Sequence, residues 1–300
     1  MTMASFRFDA EWTERARRIK GALVCPTCRG ELDWSAAGAS CDFCTARYPY
    51  RDGKFHFIGS ASSHDPLDRL KERMKRRLGK LFYRVGRDIV APTFPFSQQR
   101  AVRRWANPSS ALIVDIGSGN HRWDDDVISV DSMNYPEVDI VADITALPFR
   151  QGSIDGFTSR SLLEHVWPLE KAIAELRRCT RDEGFNLHLI PFLFPFHASP
   201  DDFQRLTYAG AGRLFEGWDV VEQYNATGPV TLFLINFIEF LSVLLSFGIP
   251  RIKAVLYLGF CLLLFPIKFL DAPFVHRKSW LGLAPTIVTV MRKPRGTADR

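Results

Sequence analysis

The run "ALIVDIGSG", residues 111–119, is the feature that most narrows what this chain can fold into. An apolar stretch this short, stopped by Gly117, reads as a strand buried on both faces. Such a strand needs cover on both sides of its sheet, which a parallel α/β arrangement supplies. Gly117-Ser118-Gly119 then lets the backbone turn sharply and approach a ligand, since a Cβ obstructs both. Further candidate strands recur at "DVISVD" (126–131), "VDIVAD" (138–143), "SIDGFTS" (153–159) and "FNLHLIPF" (185–192). Between the last two, "PLEKAIAELRRCTRDEG" sets Leu169, Ile173 and Leu176 at helical spacing, with Gly184 as the stop. The alternation predicts a doubly wound parallel sheet with ligands beyond the carboxyl ends of its strands.

Two acids stand in register with the glycine turn. Asp131 ends the second strand, where a carboxylate accepts both hydroxyls of a ribose, and Asp143 ends the third, near where an adenine edge lies. With these marks, residues 112–166 resemble the class I S-adenosylmethionine (SAM)-dependent methyltransferases, in particular the type 11 group that includes quinone-biosynthesis methyltransferases. "VDIGSGN", "ISVD" and "ADITALPFRQGSIDGFTSRSLLEHV" carry the resemblance. It implies a Rossmann-like seven-stranded methyltransferase sheet with an antiparallel last strand, and SAM as cofactor. It also implies that Asp115, Gly117, Ser118 and Gly119 line the methionine moiety, that Asp131 holds the ribose, that Asp143 and Ile144 meet the adenine, and that Ser159 lies beside the sulfonium. His121 stands where a third glycine is usual, which narrows the space at the cofactor's amino-acid end, and Asp182-Glu183-Gly184 replaces the usual Pro-Gly-Gly. A nicotinamide-binding sheet fits less well, because no full GxGxxG opens a long helix.

Upstream, Cys25-x2-Cys28 and Cys41-x2-Cys44 are separated by twelve residues. Two such knuckles complete a tetrahedral four-sulfur site suited to structural Zn2+, with redox dithiols as the competing reading. With Tyr48-Pro49 and Asp52-Gly53, the module resembles the zinc ribbon of the tRNA-methyltransferase activator family. Cys179 and Cys261 are isolated and read as buried thiols.

For chemistry, "PFLFPFHASPDDFQRLT" (191–207) gathers His197, Asp201, Asp202 and Arg205 directly after the fifth strand, where a methyl acceptor enters. It resembles a methyltransferase subgroup associated with surface-polysaccharide loci. The catalytic expectation is a His197 base assisted by an acid, with Arg205 binding an anionic substrate or locking the loop. The bland alternative is a lid held by an Arg–Asp pair. His165, in "LEH", reads as structural.

The C-terminal third is unusually apolar: "PVTLFLINFIEFLSVLLSFGIP" is interrupted by Asn236 and Glu239, and "AVLYLGFCLLLFPIKFLD" by Pro266 and Lys268. A shallow membrane-embedded hairpin inserted before a last strand, "APTIVTVMRK", fits this pattern, with a dimer interface or a lid as the rival. Residues 65–87 hold nine Lys/Arg against three acids, and Leu67, Leu70, Met74, Leu78, Leu81 and Val85 form one stripe. That stripe suits either a core or an anionic leaflet. The chain divides into an arm (1–20), a zinc ribbon (21–60), a basic amphipathic helix and linker (61–105) and a methyltransferase domain (106–300) with the apolar insertion at 229–272. The N-terminus has no apolar run of signal-peptide length, so a cytoplasmic enzyme, peripheral or monotopic at the inner membrane face, is expected. Its acceptor is a saccharide, a lipid-linked molecule or another small molecule. An RNA methyltransferase and a non-catalytic cofactor-binding scaffold are the alternatives.

Overall fold

The computed structural model describes residues 12–59, 86, 89–197 and 201–296. Helix α1 (Glu14–Ile19) precedes four short strands, β1 (Leu32–Ser35), β2 (Gly38–Cys41), β3 (Arg47–Arg51) and β4 (Lys54–His56). After α2 (Gln98–Arg103) come β5 (Ile113–Ile116), β6 (Ile128–Asp131), β7 (Ile140–Val141) and β8 (Ile154–Arg160). Next are α3 (Leu169–Cys179), β9 (Thr180–Pro191), α4 (Tyr208–Arg213) and β10 (Asp219–Asn225). Two apolar helices, α5 (Pro229–Leu245) and α6 (Pro250–Leu264), then lead through 3-10 segments to β11 (Thr286–Arg292). The basic stripe of residues 67–85 lies outside the described residues.

The seven expected strands run β7-β6-β5-β8-β9-β11-β10, with β11 antiparallel to both neighbours. The sheet does not end there. It has eleven strands, because β4 pairs parallel with β7 in the register Phe55↔Ile140 and His56↔Val141 and brings β1, β2 and β3 with it. Left alone, β7 would be a bare edge with unpaired peptide groups. Phe55 N donates to Asp139 O at 3.1 Å and Phe57 N to Val141 O at 2.8 Å. The four-cysteine module is therefore an extension of the sheet.

Its rings seal the junction: Trp12, Trp34, Tyr50 and Phe55 pack with centroids 4.8–5.5 Å apart. Ala16 and Ile19 of α1 share one buried cluster with Val114, Ile116, Ile128 and Val130. This helix covers a sheet face where residues 117–127 and 132–139 form loops and contribute no helix. On the opposite face, Ala101 and Val102 of α2 pack with Ile113, Leu187 and Val288.

One expected boundary moves. Helix α3 stops at Cys179, where Thr180 turns extended (φ −71°, ψ 130°) and its Oγ1 donates to Leu176 O at 2.6 Å. Gly184 lies inside β9 and is not the helix stop. A Cβ there would come within 2.9 Å of Asp155 O on the neighbouring strand, so close strand contact explains the glycine.

The apolar hairpin leaves β10 at Asn225, which is level with Ile287 of β11 and, through it, with Ile190 near the end of β9. It therefore emerges at the carboxyl end of the parallel strands.

Candidate active site

At that carboxyl end, Gly117 and Gly119 adopt left-handed φ values of 64° and 59°. A Cβ on Gly117 would lie 2.6 Å from Leu162 Cδ1, whereas one on Gly119 would meet nothing within 4 Å. Ser118 sits half-buried between them. No helix follows this turn. Instead Arg122 pins the loop, donating to Val127 O at 2.8 Å, to Glu137 O at 2.6 Å and to both Asp139 oxygens at 3.0 and 2.9 Å. His121, Arg122 and Trp123 line a cavity of about 510 Å³ together with Gln98, Arg100 and Arg160. Small-molecule sites commonly have this size.

Asp131 ends β6 with Oδ2 accepting from Gly119 N and Oδ1 from Met133 N, each at 2.8 Å. Burial raises its carboxyl above the ordinary range against bonds from the Met133, Gly119 and Ser132 amides, which leave capacity for a further donor. Asp143 is exposed and caps a 3-10 turn, with Oδ1 accepting from Thr145 N and Oγ1 at 2.8 Å each. Ile144 follows, half-buried.

Two of the residues expected at the cofactor are buried and hydrogen-bonded within the protein. Asp115 is buried and faces α2, accepting from Gln98 Nε2 at 2.7 Å and Trp123 Nε1 at 2.9 Å. Burial, opposed by those bonds, brings its carboxyl up to about 7. It braces two cavity residues from behind. Ser159 is also buried, its Oγ 2.8 Å from His188 Nδ1. Strand alternation sends Thr158 toward Gln98 (3.0 Å) and Ser159 to the opposite face. His188 stacks on Phe215 at 5.8 Å, and burial pushes its imidazole down to about 3.

The loops after β8 and β9 converge. Asp202 pairs with the Arg205 guanidinium through two close contacts and accepts from His197 N at 3.0 Å. Burial would raise the Asp202 carboxyl, but Arg205 and the His197 amide hold it below the usual range. Arg205 also donates to Phe194 O at 3.3 Å and Pro195 O at 3.2 Å, so the guanidinium locks its own loop. Asp201 contributes its backbone carbonyl, 2.5 Å from His165 Nδ1, while its side chain is exposed. Beneath them lies Glu164, which sequence reasoning passed over. Its Oε1 is 3.6 Å from both His165 Nε2 and His197 Nε2. Its place in "LEH", beside an imidazole, was the available signal. Trp167, Phe196 and Phe203 rim this cluster with exposed rings.

The four cysteine sulfurs lie within 4.8 Å of one another, with Cys25–Cys44 at 3.5 Å and Cys28–Cys41 at 3.4 Å. Four sulfurs on one tetrahedral zinc are roughly 3.8 Å apart, so the set fits that ion. Burial alone would raise the Cys25 thiol, but the Tyr48 hydroxyl at 3.1 Å and nearby amides bring it down to about 6.

Against known proteins, the family described as "Methyltransferase domain" matches residues 114–187, the segment from β5 into β9 that carries the glycine turn and Asp131. The chain carries a methyltransferase domain. Among curated proteins, none matches. The complex containing the Haloferax volcanii Trm112 methyltransferase activator is similar at 13% identity, covering 78% of this chain and 100% of that one, with a TM-score of 0.44. Haemonchus contortus phosphoethanolamine N-methyltransferase 2 with SAM is similar at 14% identity, covering 77% of this chain and 61% of that one, with a TM-score of 0.47. A SAM-dependent methyltransferase from Aquifex aeolicus is similar at 12% identity, covering 55% and 94%, with a TM-score of 0.38.

The residues of this methyltransferase fit SAM as donor. A tight glycine bend after β5 and a half-buried carboxylate at the end of β6 lie together at the carboxyl end of the sheet, and the loop that follows the bend lines a cavity of about 510 Å³. Gln98, Trp123 and Arg160 were missed as cavity residues because the sequence does not reveal that α2 and the 120–127 loop close over β5.

Proposed function

We propose that the methyltransferase modifies a saccharide, lipid-linked or other small acceptor at the cytoplasmic face of a membrane, with its apolar hairpin seated in the leaflet. The observation that carries this reading is where the hairpin sits and what it exposes. It leaves the carboxyl end of the sheet, beside the donor cavity, and Phe233, Phe240, Phe247, Val255, Leu262 and Leu263 are 60–86% exposed. Patches of this extent mark interaction surfaces in soluble proteins.

The polar residues that interrupt the apolar sequence find partners within the protein. Glu239 pairs with Lys253 at 2.5 Å, and Asn236 Nδ2 donates to Leu232 O at 2.8 Å. Lys268 is buried and donates to Ile89 O and Ala91 O, both at 2.7 Å. Asp271 accepts from Val230 N and Thr231 N at the start of α5. The segment from Pro250 to Asp271 has a mean hydropathy of 1.9 and is long and apolar enough to cross a membrane. A shallow seat remains our reading, because β11 must return to the sheet. Phe94 N donates to Thr231 Oγ1 at 3.1 Å, which ties the hairpin to the Pro95–Phe96 rim of the cavity.

Bound SAM supplies an electrophilic methyl group. Asp131 holds the ribose, the Gly117–Gly119 bend admits the cofactor closely, and the Asp202–Arg205 lock fixes the loop that presents His197 to the acceptor. The exposed Trp167, Phe196 and Phe203 rings suit the apolar faces of a sugar or lipid. The four cysteines hold a structural zinc that keeps β4 on the sheet edge. An RNA acceptor is less well served, because the ribbon's Trp34, Tyr50 and Phe55 pack on one another and on Trp12 of the arm.

The test incubates membrane, soluble-glycan and RNA fractions of cell extract with labelled SAM and the purified protein. Label in the lipid or glycan fraction supports the proposal. Label confined to RNA overturns it.

A further inference from the structure

We infer that Glu164, His165 and His197 form a site for a divalent transition-metal cation of the zinc class, distinct from the four-cysteine site, and that this cation takes the hydroxyl oxygen of the acceptor. The binding stands on geometry alone; the role given to the ion rests on the methyltransferase reading.

Glu164 sits at the centre with no side-chain exposure, and neither of its oxygens accepts a hydrogen bond among the described residues. A buried carboxylate in that state is costly unless a cation or proton meets it. Two imidazole Nε2 atoms aim at Oε1, each 3.6 Å away. That separation is too long for a hydrogen bond. It suits two ligands of one ion, because bonds of 2.0–2.2 Å at tetrahedral angles set donor atoms roughly 3.4 Å apart.

The far sides of the rings agree. His165 Nδ1 lies 2.5 Å from Asp201 O, and His197 Nδ1 lies 3.3 Å from Pro195 O and 3.5 Å from Asp202 Oδ2. Carbonyl and carboxylate oxygens only accept, so an Nδ1 proton on each ring satisfies these contacts and leaves Nε2 to face Glu164; Arg205 Nη2 also lies 3.5 Å from His197 Nδ1. Donating the outer N–H to an oxygen is the usual arrangement around a metal-bound histidine. The rings stand at 90° with centroids 5.0 Å apart, so both lone pairs reach one point without the rings stacking.

Three protein ligands leave coordination positions open, as in catalytic and not structural sites. The three residues lie in the loops beyond the ends of β8 and β9, and Asp202 and Arg205, which neighbour His197, line a cavity of about 280 Å³. A hydroxyl placed on the cation loses its proton to solvent more readily. The acceptor oxygen then bonds to the methyl carbon as the carbon–sulfur bond breaks, the electron pair stays on sulfur as a neutral thioether, and one proton is released. The acceptor is therefore an alcohol, such as a sugar hydroxyl, rather than an amine.

The experiment is zinc stoichiometry on the full chain after loading with Zn2+ and exhaustive dialysis. Wild type is expected to retain about two equivalents, one of them on the cysteines. Glu164→Gln and His197→Ala are each expected to retain about one, with S-adenosylhomocysteine affinity unchanged as the sign of an intact fold. Retention of a single equivalent by wild type, as a protonated His–Glu cluster requires, overturns the inference. So does retention of both equivalents by the two variants. Should a variant fail to fold, cobalt replaces zinc in wild type. Cobalt bound beyond the amount showing thiolate charge-transfer absorption supports the site, and cobalt matched entirely by that absorption refutes it. Because S-adenosylhomocysteine affinity is measured on the same samples, loss of the metal site is distinguishable from failure of the methyltransferase reading.

Discussion

Trp123 Nε1 donates to Asp115 Oδ2 at 2.9 Å across the foot of the donor cavity, and Gln98 Nε2 holds the other oxygen at 2.7 Å. This carboxyl is brought up by burial to about 7 in the folded chain. From about pH 4 to about pH 7 the folded state binds more protons than the unfolded state, so stability falls as pH rises, by on the order of a few kcal/mol in full. Asp115→Asn should remove this component. Thermal unfolding of both proteins from about pH 5 to about pH 8 should give curves that diverge with pH. Parallel curves contradict the burial account.

The two glycines of the bend should differ on substitution. Both have positive φ, but a Cβ clashes only at Gly117, against Leu162. Gly119→Ala should cost about 1 kcal/mol from backbone strain alone. Gly117→Ala should cost more and weaken donor binding, with part of the loss recovered by adding Leu162→Ala. Denaturant unfolding measures this, and equal losses at the two positions would show that Leu162 imposes nothing.

Stripping zinc, or replacing Cys44 by Ser, should release the ribbon from the edge of β7. The reporters are the Phe55 and Phe57 amides, which donate to Asp139 and Val141. Hydrogen exchange should become rapid at both, with a lower melting temperature for the whole chain. Protection that persists after metal removal means that the Trp12–Trp34–Phe55 packing holds the ribbon unaided.

Local signals explain what was legible beforehand. The run before Gly117, the acids at 131 and 143 and the paired cysteines each encode their structure within a few residues. The parallel strand order, the thiol cluster and the hairpin before β11 all follow from such signals. Non-local pairing was not legible. Nothing in "GKFHFI" announces that Phe55 would lie beside Ile140, and nothing in "RSLLEHV" that Glu164 would meet His197. Asp115 and Ser159 were placed by family pattern, and their burial and their partners Gln98, Trp123 and His188 were not legible from it.

The hairpin prediction concerns Phe247 and Leu263, exposed at 86% and 71%. Phe247→Glu combined with Leu263→Glu should leave the fold and donor affinity intact while sharply reducing flotation with vesicles of phosphatidylglycerol and phosphatidylethanolamine. Each buried side chain of this size contributes roughly 1.5–3 kcal/mol to partitioning, so the double change should lower it by at least tenfold. Unchanged flotation places the contact elsewhere.

The measurement that bears most directly on the central claim is calorimetric titration of the zinc-loaded chain with S-adenosylhomocysteine. The account predicts saturable heat at one ligand per chain, abolished by Asp131→Ala, whose carboxylate sits at the end of β6 with lone pairs to offer. Absence of heat in the folded wild type, or equal heat in the Asp131 variant, contradicts it.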